Sequence, residues 1–94
     1  MTRAVHVVIR GRVQGVGFRA WTQHQAELRG LGGWVRNRRD GLVEAVFAGP
    51  AEAVELMLKA VAAGPMLARV DSVEASEIDP AEAGEGSFEQ RETE

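Results

Sequence analysis

Residues 11–19 read GRVQGVGFR, placing glycines at 15 and 17 four and two residues ahead of Arg19. Glycine lacks the Cβ that keeps successive backbone N–H groups from converging, so such a loop can turn its amides toward one point. The loop runs into a helix-forming stretch, and the first amides of a helix have no internal acceptor. An arginine in a first helical turn is ordinarily unfavourable beside the positive end of the helix dipole, by about 0.3–1 kcal/mol. A cation there makes sense when it shares an anion with the amides, and its planar fork can grip two phosphate oxygens at once. The loop from Gly15 through Val16, Gly17 and Phe18 to Arg19 is therefore the candidate anion cradle.

Other motifs compete for the same residues. GVGFRA, Gly15 to Ala20, fits the dinucleotide fingerprint G-x-G-x-x-[G/A], but that fingerprint needs a parallel second strand and further βα units, which the following segments do not supply. No Gly-Lys-Ser/Thr follows, which excludes a Walker A loop. An RNA-recognition domain would share the order of elements deduced below. It needs stacking aromatics on its central strands, and GLVEAVFA, residues 41–48, offers only Phe47. RNA binding is thus the weaker competitor on residues alone.

The elements that must position the loop follow from periodicity. Val5, Val7 and Ile9 alternate with His6, Val8 and Arg10, predicting a strand with one apolar face. Phe18, Trp21, Thr22, Gln25, Ala26 and Leu28 fall on one side of a predicted helix that Gly30 is suited to end. Two alternating runs, Trp34 to Arg38 and Leu42 to Ala48, are joined through Arg39-Asp40-Gly41, a hairpin signal. Val54, Met57, Leu58 and Val61 mark a second helix ending at Gly64-Pro65. Ala68 to Glu77 predicts a fourth strand, with Val73 and Ala75 breaking its alternation. Asp79 to Gly86 reads as an acidic loop, and a short edge strand is expected around Phe88.

The order βαββαβ, with a possible fifth strand, predicts a ferredoxin-like α+β sandwich. Two helices cover one face of an antiparallel sheet of four to five strands, core order 4-1-3-2 with all neighbours antiparallel. In that topology the first and second strands run the same way. The loop after the first and the end of the second then meet at one edge of the sheet. Val35 must face the helices, and Asn37 shares its face by period two, so Asn37 points toward the loop.

GRVQGVGFR, the run GLGGWVRNRRDGLVE with its Gly-Trp-Val-x-Asn core, and GPMLARVDSVE together resemble the acylphosphatases, from Val5 to Phe88. The resemblance implies hydrolysis of acyl phosphates to a carboxylate and inorganic phosphate without a metal or cofactor. By motif position it makes Arg19 the phosphate-binding arginine, Asn37 the residue that orients water, and the amides of Gly15, Val16, Gly17, Phe18 and Arg19 the phosphate cradle. The sequence departs from the pattern at Leu42, where many relatives carry Ser or Thr, so a hydroxyl beside the site edge is missing. A phosphate-binding domain without activity is the alternative of a different class.

Composition sets the remaining expectations. The 94 residues suit one domain, 1–94, with one modest core. There is no cysteine, hence no disulfide or thiolate site. No apolar run of leader or membrane-spanning length is present, so a cytoplasmic monomer with no membrane partner is expected. The resemblance likewise implies a small acyl phosphate substrate, phosphate as product and no nucleic acid. The net charge of −3 conceals a basic half, eight arginines against Glu27 alone before Asp40, and an acidic half carrying thirteen acids from Asp40 onward. The basic half suits an anion, and Arg36, Arg38 and Arg39 are expected as a solvated positive rim. His6 and His24 read as ordinary surface or rim residues. Trp21 and Trp34 read as packing, with Trp21 a possible wall for an acyl group.

Overall fold

The computed structural model describes residues 2–84 and 86–94; Met1, and Glu85 of the expected acidic loop, lie outside the described residues. The elements are β1 (Thr2–Arg12), α1 (Phe18–Leu28), β2 (Gly32–Asn37), β3 (Val43–Pro50), α2 (Ala51–Ala63), β4 (Arg69–Ile78) and β5 (Glu89–Gln90). They form one sheet in the order β4-β1-β3-β2-β5. The expected ferredoxin-like core is present, with β1 antiparallel to both β3 and β4 and β2 antiparallel to β3.

Alternation does its work on β1. Val5, Val7 and Ile9 are fully buried, as are their face-mates Val35, Val43, Ala45 and Phe47 on the neighbouring strands. Val54, Met57 and Val61 of α2 and Phe18 and Ala26 of α1 close this core from the helix side. On α1 the buried stripe is Phe18, Thr22 and Ala26, spaced i, i+4, i+8. Leu28, expected on that stripe, is instead 67% exposed. Two residues beyond Ala26 it is turned by roughly 200° around the helix, to the opposite side.

Two departures concern the sheet. The pairing of β1 with β4 shifts between Arg10↔Ser72 and Gly11↔Val70, leaving Asp71 as a bulged residue. The bulge puts Val70 and Val73, an odd spacing apart, against the same core, and this is why the alternation of β4 reads poorly. The last strand is the second departure. β5 pairs with β2 in parallel, Trp34↔Glu89 and Val35↔Gln90, so the expectation that all neighbours are antiparallel fails at this edge. β4 ends beside Ala4, at the end of the sheet where β2 begins. A chain that crosses the sheet there can only run alongside β2 in its direction.

The crossing segment is more than a loop. Asp79 accepts a hydrogen bond from the Ala81 amide and starts a short 3-10 turn, Pro80–Ala83. Ala83 packs on Trp34 and Val46 on the face away from the helices. Phe88 then returns to the helix side, stacking on Phe47 with ring centroids 5.7 Å apart.

The open face carries a charged cluster around Trp34. The guanidinium groups of Arg36 and Arg91 lie 4.7 and 4.8 Å from the Trp34 ring centre. Glu44 accepts from Arg36 Nε at 2.8 Å and pairs with His6 Nε2 at 2.6 Å. Burial pushes the Glu44 carboxyl up, but the hydrogen bonds from His6 and Arg36 outweigh it and hold the group below its ordinary value. Since its folded-state value lies below the unfolded one, ionised Glu44 stabilises the fold above the usual carboxylate range. That contribution disappears as pH falls through the lowered value. Glu44→Gln should therefore lower Tm near neutral pH by about 4–8 °C, the equivalent of about 1 kcal/mol in a domain of this size. In melts down a pH series the gap to wild type should close at acid pH; a gap independent of pH would refute the role of the charge.

Candidate active site

The loop between β1 and α1 adopts the conformations its glycines permit. Gly15 and Gly17 have φ of 73° and 77°, and a Cβ at either would meet nothing within 4 Å. The requirement at these positions is backbone conformation rather than space. Gly17 is the N-cap of α1; no side chain caps the helix and its first turn holds no acidic residue. Among the described residues, the amides of residues 15–19 donate to no turn or cap acceptor. Their donors and the positive end of the helix dipole are thus left for an anion.

A cavity of about 170 Å³ opens at this point. Gly15, Gly17, Phe18 and Arg19 line it from the loop and first turn, and Asn37 lines it from the end of β2. Val13 and Ala20 add apolar wall, and Gln90 enters from β5. Residues far apart in sequence therefore meet as the parallel directions of β1 and β2 require. Val16 is the one member of the expected cradle that does not line the cavity; its side chain packs on the core. At a water's share of about 30 Å³, the volume suits a phosphoryl group with a small organic substituent. It falls well below the roughly 300 Å³ at which pockets begin to take larger ligands.

Arg19 is half-buried and, among the described residues, pairs with no carboxylate. Its Nη1 reaches the Arg91 carbonyl at 3.4 Å, a long contact that leaves most of its fork for a ligand. The expected positive rim is largely neutralised. Arg38 pairs with Asp40 at 2.7 Å, and Arg36 lies on the open face bound to Glu44 and Glu94. Arg19 is the cation that lines the cavity. Leu42 and Trp21 do not line it; Trp21 packs on Phe18 with ring centroids 5.5 Å apart.

Two anchoring features were not read from the sequence. The Gln14 side-chain amide donates to the carbonyls of Arg38 and Leu42 at 2.7 and 2.8 Å. One residue of the glycine loop thereby fastens it to the turn directly after Asn37. Glutamine at this position carries no periodic signal, and its partners are backbone atoms. The second feature is the segment that follows β5. Arg91 N donates to Val35 O, Glu94 N to Asn37 O, and Arg39 N to Glu94 O. The backbone of Asn37 is thus held from the segment after β5 as well as from β3.

The sequence and the fold recur in known proteins. The family model described as acylphosphatase matches residues 5–89. An acylphosphatase of Azorhizobium caulinodans is 54% identical over 86 residues, covering 92% of each chain. The crystal structure of acylphosphatase from Bacillus subtilis superimposes with a TM-score of 0.89 at 37% identity, covering 97% of this chain and 99% of that one. The structure of an acylphosphatase from Coxiella burnetii gives a TM-score of 0.88 at 33% identity, covering 96% and 93%.

Removing the double anchor isolates its contribution. Gln14→Leu leaves two carbonyls without their donors and should cost about 1–2 kcal/mol, lowering Tm by about 4–16 °C. In the variant that remains folded, inorganic phosphate should bind more weakly by calorimetry, since the loop is no longer tied to the hairpin. Phosphate affinity equal to wild type would show that the loop keeps its shape without Gln14.

Proposed function

Because this chain belongs to the acylphosphatase family of hydrolases, we propose that its cavity cleaves acyl phosphates, acting as a single-domain monomer in the cytoplasm, with Arg19 and the loop amides holding the phosphoryl group and Asn37 orienting the attacking water. The observation that carries this reading is the convergence of Gly15, Gly17, Phe18, Arg19 and Asn37 on one small cavity. Free amides at a helix start and an arginine that, among the described residues, has no carboxylate partner form a site for a doubly charged group.

The chemistry asks for little more. The leaving group is a carboxylate, whose conjugate acid has a pKa of about 4, so it departs without being protonated. The transition state of phosphoryl transfer spreads negative charge over equatorial oxygens, and positioning with electrostatic stabilisation supplies most of the rate. Amides and Arg19 face those oxygens. The lining residues include no hydroxyl, thiol, imidazole or amine side chain to act as a nucleophile, which favours direct attack by water. Asn37, with a carbonyl oxygen to accept from that water and an amide to donate to phosphate, can hold the nucleophile in line. The Asn37 backbone is fixed by hydrogen bonding to Glu94, so the side chain starts from a defined position.

Phosphate release from benzoyl phosphate tests the assignment. Arg19→Ala should lower kcat/KM by about 100- to 1000-fold, the loss expected on removing one transition-state donor, and should weaken competitive inhibition by inorganic phosphate. Asn37→Ala should lower kcat to a similar degree while leaving phosphate inhibition near wild type. Wild-type protein inert toward benzoyl phosphate would support a phosphate-binding domain instead, and full activity in Asn37→Ala would remove Asn37 from the mechanism.

A further inference from the structure

The acyl half of the substrate has no partner among the groups assigned so far. Of the remaining residues that line the cavity, Val13 and Ala20 are apolar, and Gln90 alone brings a polar side chain. Gln90 pairs with Val35 in the parallel register and so shares its face, the helix side. Asn37 lies two residues further along β2 on that same face, one strand spacing of about 4.8 Å to the side.

The hydrogen bonds around Gln90 fix which way its carboxamide is turned. Gln23 lies four residues after Arg19, one turn along the same side of α1. Its nitrogen faces the Glu27 carboxylate and the Phe88 carbonyl, each at 3.5 Å, and both can only accept. The Gln23 oxygen is therefore the atom turned to Gln90, and Gln90 Nε2 donates to it at 2.7 Å. One N–H of Gln90 is committed. Among the described residues the second N–H has no partner, and it belongs to a side chain that lines the cavity.

Resting on the acyl phosphate reading above, we propose that Gln90 is the contact for the acyl end of the substrate, its free N–H donating to the carboxylate as it leaves. In the step, water oxygen bonds to phosphorus and the bond from phosphorus to the acyl oxygen breaks. The electron pair of that bond stays on the acyl oxygen, giving the carboxylate, and both protons of the water leave on the phosphate as dihydrogen phosphate, which then equilibrates with solvent. Negative charge therefore appears on the acyl side as the reaction proceeds, where a fixed donor is worth more than in the ground state. A neutral amide exposed at the mouth stabilises this charge modestly and lets the product carboxylate go.

The test compares wild type, Gln90→Leu and Gln90→Glu on benzoyl phosphate and acetyl phosphate, with inorganic phosphate as inhibitor. Gln90 is exposed, so neither replacement removes core packing. Gln90→Leu should lower kcat/KM for both substrates by about three- to tenfold, the range for one hydrogen bond, with phosphate inhibition unchanged. Gln90→Glu should lose more, because a carboxylate then faces the one being formed, and this extra loss should fade as pH falls through the glutamate range. Wild-type kcat/KM in both variants would overturn the proposal. So would a parallel loss of phosphate inhibition, which would mean that Gln90 acts by holding Arg19. Failure of wild type on both substrates would instead overturn the acyl phosphate reading itself, and the proposal with it.

Discussion

Among the described residues, the first amides of α1 have no turn or capping acceptor. A helix that starts on a glycine, with no capping side chain and no acid in its first turn, gives up stability that a serine or aspartate cap would contribute, typically about 1 kcal/mol. The same omission leaves a cluster of donors exposed beside Arg19. Everything else in the site serves to keep that cluster in shape and to bring the right neighbours to it. A capped version of this helix would be more stable and would leave fewer free donors for the phosphoryl group proposed to bind there, a local conflict of the kind found where function overrides folding.

The neighbours arrive through strand direction. β1 and β2 run the same way because β3 lies between them antiparallel to both. The exit of one and the end of the other therefore coincide without any special contact. Gln14 then converts proximity into fixed geometry by donating to two carbonyls of the hairpin. The edge strand adds a third side. Gln90 of β5 meets Gln23 on α1, and in the segment just after it the Arg91 carbonyl accepts from Arg19 and the Glu94 amide donates to Asn37 O.

The parts legible in the sequence were those that repeat. Alternation marked β1 and both arms of the hairpin, helical spacing marked α2, and the glycines marked the loop. Arg19 and Asn37 stood out because residue type and topology agreed on them. The bulge at Asp71 hid the inner face of β4 by shifting its parity, and Leu28 fell off the stripe of α1 because only i, i+4 neighbours stay aligned there. Gln14 and Gln90 gave no signal at all. Their meaning lies in partners 24 and 67 residues away, respectively Arg38 and Gln23, and a glutamine looks the same whether it anchors a loop or faces solvent. The direction of β5 depended on the end of the sheet from which the chain crosses, which no local pattern records.

β5 has two residues, both exposed, pairs on one side only and is bordered by solvent. Segments with so little burial separate from the rest at a small fraction of the global unfolding free energy. Detaching this one leaves the four-strand sheet and both helices intact, yet it frees Arg19 from the Arg91 carbonyl and withdraws Gln90 from the cavity mouth. Fraying of this edge would therefore open the pocket on one side without unfolding the core. Amide exchange at Arg91 and Glu94 would then be fast against a slow background in β1 and β3.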